Sequence, residues 1–113
     1  MFYSKYKAKK TIIDGITFDS KSEARRYEEL KLLQRGGSIK HLSLQPRFML
    51  QEGFKNIHTG KKERAIEYVA DFMYLEGGRV IVEDLKGFKT TDYKIKRKLF
   101  LHKYQSEYYH LET

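Results

Sequence analysis

The chain has 113 residues and a formal charge of +8, with 23 Lys and Arg against 15 Asp and Glu, which suits one compact domain attracted to polyanions such as DNA, RNA or an anionic surface. It contains no cysteine, so disulfides, thiolate zinc sites and cysteine nucleophiles are excluded, and any metal must be held by oxygen or imidazole. No apolar run approaches the roughly 20 residues of a spanning helix, and the opening MFYSKYKAKK lacks the apolar stretch of a signal peptide, so a cytoplasmic protein without a membrane partner is expected.

Residues 1–10 interleave Lys5, Lys7, Lys9 and Lys10 with Phe2, Tyr3 and Tyr6. That pattern fits a basic arm contacting phosphates and bases, and equally a solvated terminus. Residues 11–113 read as a single domain. In TIIDGITF, Asp14-Gly15 separates two short β-prone runs, which predicts a hairpin with a type I′ turn. FDSKSEARRYEELKLLQRGG reads as a helix, with Asp19 or Ser20 as N-cap, Ala24, Tyr27, Leu30 and Leu33 as the apolar stripe, and Gly36-Gly37 as the stop. From His41 to Gln51, Leu42, Leu44, Phe48 and Leu50 alternate with polar residues and predict a strand, in which Pro46 marks an edge or a bulge. Residues 52–62 read as a polar loop. A longer strand is predicted from Arg64 to Leu75, and Gly77-Gly78 reverses it into a second strand, Arg79 to Lys86. Thr91 or Asp92 caps a basic helix, DYKIKRKLFLHKY, expected to pack through Ile95, Leu99 and His102, and EYYHLE ends the chain as a strand. Setting the first hairpin aside, the order is helix, three strands, helix, strand, an α/β domain with helices flanking a sheet.

The Gly77-Gly78 hairpin carries the chemistry. A two-residue turn opposes Glu76 to Arg79 and, counting outward, Asp71 to Asp84. Opposed residues have β-carbons about 4.5–5.5 Å apart, and two carboxylates so close repel unless a proton or cation lies between them. Period-two alternation puts Lys86 on the face of Asp84, with Val69, Met73, Val80 and Val82, while Glu83 points through the sheet with Tyr68, Ala70, Phe72, Ile81 and Leu85. Apolar residues on both faces argue against a simply solvated acid pair. A plain ion pair of Lys86 with one of the two aspartates is the structural alternative.

Asp71, followed thirteen positions later by Asp84-Leu85-Lys86, resembles the signature of the PD-(D/E)XK nucleases. With the surrounding SKSEARRYEEL, LQPRF, YVADF and VEDLKG, the chain resembles a family of small phage and prophage proteins catalogued as a domain of unknown function. That family groups with junction resolvases, very-short-patch repair endonucleases and transposon end-cleaving nucleases. The resemblance implies a restriction-endonuclease-like core of order helix-strand-strand-strand-helix-strand, preceded by the short hairpin, and a metal-dependent DNA endonuclease in a bacterial host cytoplasm. It further implies that Asp71, Asp84, the backbone carbonyl of Leu85 and a first-helix glutamate, Glu23, hold Mg²⁺ or Mn²⁺, with Lys86 acting on the attacking water or the phosphate. Glu23 also fits a capping box with Ser20, which leaves Glu28 as its substitute. A bulge would exchange Glu83 for Asp84. Gln45 matches LQPRF without a chemical role.

Lys94, Lys96, Arg97, Lys98 and Lys103, with Lys9 and Lys10 of the arm, are the candidate contacts to branched or duplex DNA. One site per chain makes a homodimer the natural way to cut two strands. His41, His58, His102 and His110 show no ligand spacing. The competing reading is a non-catalytic nucleic-acid-binding domain with a degenerate nuclease fold, serving phage replication or packaging.

Overall fold

The computed structural model describes residues 10–85, 89–105 and 107–112, so Lys86, Lys9 and most of the expected basic arm lie outside the described residues. The chain begins with β1 (Thr11–Ile13) and β2 (Ile16–Phe18), an antiparallel pair. Asp14 and Gly15 turn it at φ of +53° and +76°, the two positive values that a type I′ turn requires.

The first helix, α1, spans Lys21–Arg35. Ser20 is its N-cap and accepts the Glu23 amide at 3.1 Å. Ala24, Tyr27 and Leu30 are buried, while Leu33 at the end of the stripe is more than a third exposed. The Tyr27 hydroxyl donates to Asp14 at 2.9 Å and so ties the helix to the first turn.

Both long strands expected after α1 are broken in two. The first divides into β3 (Lys40–Leu44) and β4 (Arg47–Gln51). The second divides into β7 (Ile66–Val69) and β8 (Phe72–Glu76). The halves belong to different sheets, since β3 pairs with β8 and β4 pairs with β7, both antiparallel. Between them, the expected polar loop contains a small hairpin of β5 (Phe54–Lys55) and β6 (Lys62–Glu63). Strands of two residues leave no periodicity to read, which is why the sequence showed only polarity there.

β9 (Arg79–Asp84), α2 (Thr91–Tyr104) and β10 (Tyr109–Glu112) complete the chain. β9 and β10 run parallel, as a helical crossover between them allows. The main sheet has the order β10-β9-β8-β3.

Two cores cover its two faces. Phe72, Tyr74 and Ile81 pack with Ala24, Tyr27 and Leu30 of α1 and with Ile39. On the other face, Val82 packs with Tyr68, Ala70, Phe48, and Tyr93 and Phe100 of α2. Aromatic rings fill that second core, with Phe48 edge-on to Phe100 at 4.7 Å and Phe100 close to Tyr68 at 4.9 Å. The expected packing residues of α2 are therefore corrected. Ile95, Leu99 and His102 face solvent, because Tyr93 and Phe100, seven residues or two turns apart, set the buried stripe. The fold is a mixed α/β domain with several antiparallel pairings and two helices. Among the described residues no helix is long and apolar enough to cross a membrane.

One ion pair joins α1 to the sheet. Glu83 is fully buried, and Arg26 grips it with both ends of its fork, Nε to Oε1 at 2.8 Å and Nη2 to Oε2 at 2.6 Å. The Tyr74 hydroxyl also donates to Glu83. The Glu83 carboxylate, more than the nearby Glu29, holds the Arg26 guanidinium pKa well above its ordinary value. Replacing Arg26 with Met strands a buried carboxylate and should cost about 3 kcal/mol, read as a lower urea midpoint at unchanged slope. Arg26→Lys should recover only part of the loss, because an ammonium cannot reproduce the two-pronged contact.

Candidate active site

The β8–β9 hairpin has the register that its glycines predict. Gly77 and Gly78 sit at φ of +59° and +80°, and pairing runs from Glu76–Arg79 out to Phe72–Glu83. At Asp71 the ladder changes. The Asp71 amide donates to the carbonyl of Glu83 at 3.0 Å, so Asp71 and Phe72 share one partner residue, the mark of a β-bulge. The expected direct opposition of Asp71 to Asp84 is thereby replaced by an offset of one residue on the β8 side.

The bulge has two consequences. It reverses the alternation of the strand, so that Tyr68 and Ala70 face the α2 core while Phe72 and Tyr74 face the α1 core. The expectation that Tyr68 and Ala70 share the Phe72 face fails for this reason. It also aims the Asp71 side chain along β9, where Oδ2 accepts the Leu85 amide at 2.7 Å. The first acid thus still arrives beside the Asp84-Leu85 segment.

Its backbone is fixed from the other side as well. The Gln45 amide donates to the Asp71 carbonyl at 2.9 Å, and the Ala70 amide donates to the Pro46 carbonyl at 3.1 Å. Gln45 adopts a left-handed φ of +49°, a conformation that costs a non-glycine residue about 1–3 kcal/mol and persists where neighbours enforce it. Gln45-Pro46 therefore has a structural role: it bends the first strand where Ala70-Asp71 bends the second.

Asp84 is fully buried on the α2 face, and it accepts the Tyr68 hydroxyl at 2.5 Å. Burial first, and then Asp84, push the Tyr68 phenol far above the ordinary tyrosine range. Tyr68 is not recognisable as a partner from the sequence, because both faces of its strand are apolar and the bulge that sets its phase leaves no local signal. Tyr68 also lines a cleft of about 360 Å³ with Glu67, Val69, Thr90, Asp92, Tyr93 and Lys96.

The remaining candidates fall in different places. Glu83, the alternative ligand, is committed to Arg26 and Tyr74 on the opposite face. Glu23 lies in the first turn of α1, with its amide on the Ser20 hydroxyl. That helix packs on the Glu83 face, and among the described residues no group of three or more His, Asp or Glu forms a metal cluster. Glu23 is therefore not gathered into a three-acid site with Asp71 and Asp84. Glu28 lines a separate cleft with Asp14, Lys31 and Arg35. Leu85 contributes its amide to Asp71 and its side chain to the α1 core.

The five α2 cations do not form one face. At roughly 100° per residue, Lys94 and Lys98 lie on one flank, and Lys96 and Lys103 on the other. Arg97 follows the half-buried stripe, Lys103 bonds the Met49 carbonyl at 3.0 Å, and Lys10 is exposed.

The carboxylates of Asp71, half-buried on the Leu85 amide, and of Asp84, buried one residue before it, are hard donors. Mg²⁺ is commonly held by one or two carboxylates while keeping several waters, so Asp71 and Asp84 fit such an ion without a third acid. Removing the phenol that supports Asp84, as in Tyr68→Phe, should cost about 1.5–3 kcal/mol at neutral pH by denaturant unfolding. Because the folded chain holds Tyr68 above its unfolded value, this stabilisation is complete below about pH 10 and is lost as pH rises further. A wild-type unfolding midpoint that falls above that pH, with a smaller fall in Tyr68→Phe, would check the sign.

No curated protein and no solved structure matches the chain. The family model described as "Protein of unknown function (DUF1064)" matches residues 3–111, and the chain belongs to that family.

Proposed function

We propose that the chain is a metal-dependent DNA endonuclease of the PD-(D/E)XK type, acting on branched or duplex DNA. The observation that carries this reading is the delivery of the Asp71 carboxylate, by a bulge, to the backbone that follows Asp84. The order of helix, three long strands, helix and strand, with two of the strands broken, is compatible with the nuclease core. The +8 charge favours a polyanionic substrate.

In this reading Asp71 and Asp84, with the Leu85 carbonyl, hold Mg²⁺ or Mn²⁺. A bound ion would orient the scissile phosphate and lower the pKa of the attacking water. Asp71 is the accessible acid, and its bond to the Leu85 amide fixes its direction before substrate arrives. Asp84 is the buried acid, and Tyr68 holds its carboxylate in place. Lys86, two residues beyond Asp84, stabilises the charge that develops on the phosphate. A homodimer would supply a second site for the second strand.

A second reading, a nucleic-acid-binding domain that does not cut, is favoured by the complete burial of Asp84 and by the absence of a three-acid cluster among the described residues. Incubation with supercoiled plasmid and a synthetic four-way junction separates the two. With Mg²⁺ or Mn²⁺ the protein should nick or cut, and EDTA should stop it. Asp84→Asn and Asp71→Asn should each lower the rate by at least about a hundredfold, and Lys86→Ala should do the same while leaving DNA binding intact. Metal-independent cutting, or cutting retained in Asp84→Asn, would sink the proposal. DNA binding without any cleavage would select the second reading.

A further inference from the structure

The β5–β6 hairpin belongs to neither core, yet its tip is tightly built. Asn56 Oδ1 accepts the amides of His58 at 2.9 Å and Thr59 at 3.2 Å, and Thr59 Oγ1 accepts the Lys61 amide at 3.2 Å. The Gly60 amide donates to the Asn56 carbonyl at 2.7 Å, and the Asn56 amide to the Lys61 carbonyl at 2.8 Å. Gly60 closes the loop at φ of +73°, a conformation open to glycine at little cost.

This framework holds Ile57 out in solvent, 86% exposed, with Phe54 at 51% behind it. Directly below the tip, Lys55 pairs with Lys62 across the two strands. Like charges at opposed positions repel and weaken a two-stranded ribbon. Around the tip stand four cations, Lys55, Lys61, Lys62 and Arg64, against two acids, Glu52 and Glu63. A rigid loop that exposes an isoleucine above an opposed lysine pair is unfavourable for the free protein on both counts. Both costs are relieved by a partner that is polyanionic at its edges and apolar between them. Duplex DNA has that chemistry, with phosphates lining each groove and stacked bases between.

We infer that the β5–β6 hairpin is a DNA-reading element: Ile57 enters the minor groove as an apolar wedge, and Lys55 and Lys62 contact the flanking phosphates. Apolar wedges of this kind partly unstack a base step and bend the duplex. The inference rests on the proposed reading of DNA as the substrate, and it adds a contact that the acid pair does not use.

The test is binding of the full chain to a short duplex carrying 2-aminopurine, followed by anisotropy across a salt series in EDTA, with Mg²⁺-dependent plasmid cleavage measured in parallel. Because the changed side chains are exposed, thermal unfolding followed by circular dichroism should be unchanged in each variant. The double variant Lys55→Ala/Lys62→Ala should reduce the slope of log affinity against log salt by about 2. Ile57→Ala should keep that slope, lose about tenfold in affinity and abolish the rise in 2-aminopurine fluorescence, while Ile57→Met should retain it. An unchanged slope in the double variant, wild-type behaviour of Ile57→Ala, or no duplex binding by the wild type would overturn the inference. So would displacement of the duplex by polyglutamate at equal charge, which would assign the hairpin to an acidic protein. If the variants shift binding as expected but no protein cuts DNA, the hairpin stands and the nuclease reading falls. If the wild type cuts and the hairpin variants bind and cut equally well, only the hairpin assignment falls.

Discussion

The structure turns on one backbone joint. Two strands that run side by side, β3–β4 and β7–β8, break at the same level, and the two breaks are tied to each other by the Gln45–Asp71 and Ala70–Pro46 hydrogen bonds. Each break leaves backbone groups that must find partners, because an unpaired buried amide or carbonyl is costly. Breaking both strands together lets each satisfy the other. Above the joint the strands serve the four-stranded sheet, and below it they form the separate β4–β7 pair that packs on α2. Asp71 is at the joint itself, with its amide, its carbonyl and its carboxylate all engaged. A bulge is one of the few ways to point a strand residue along the sheet rather than out of it.

The neighbouring acids Glu83 and Asp84 show how alternation divides labour on one strand. Both are fully buried, and burial of a carboxylate demands compensation. Glu83 faces α1 and meets a guanidinium, which neutralises it. Asp84 faces α2 and meets a phenol, which donates a hydrogen bond but no charge. Glu83 is thereby committed to the scaffold, joining the first helix to the central strand. Asp84 is held on the α2 face by Tyr68, one residue before the Leu85 amide that the half-buried Asp71 accepts. In the proposed reading the divalent ion belongs to Asp84 and Asp71, and Glu83 serves the fold.

How far the sequence could be read follows from what each feature depends on. The β8–β9 register was legible because Gly77-Gly78 marks a two-residue turn, which sets the pairs outward from it as far as the bulge. The first helix was legible because Ser20, the apolar spacing and Gly36-Gly37 mark its two ends and one face. The bulge was not legible, since residues 66–75 are apolar at both parities and a strand covered on both faces does not reveal a change of phase. The buried face of α2 was misread for a related reason: Ile95 and Leu99 are as apolar as Tyr93 and Phe100, and only the aromatic partners Phe48 and Tyr68 decide between them. Arg26 and Glu83 are 57 residues apart, and no local pattern announces such a pair.

The placement of charge gives the last constraint. An acidic site repels a phosphate backbone, so in the proposed reading the attraction must come from elsewhere on the surface and must not collapse onto the acids. The cations are distributed accordingly: Lys94 and Lys98 lie on one flank of α2, Lys96 lies at the cleft beside Tyr68, and Lys55 and Lys62 stand on a hairpin outside both cores. The Arg26 guanidinium takes Glu83, on the face of the sheet away from Asp84. Cations held on separate elements can attract a polyanion at long range. The rigid hairpin and the joint at Asp71 would then serve one end, because an acid pair acts on a phosphate only if the duplex is held at a set distance and angle.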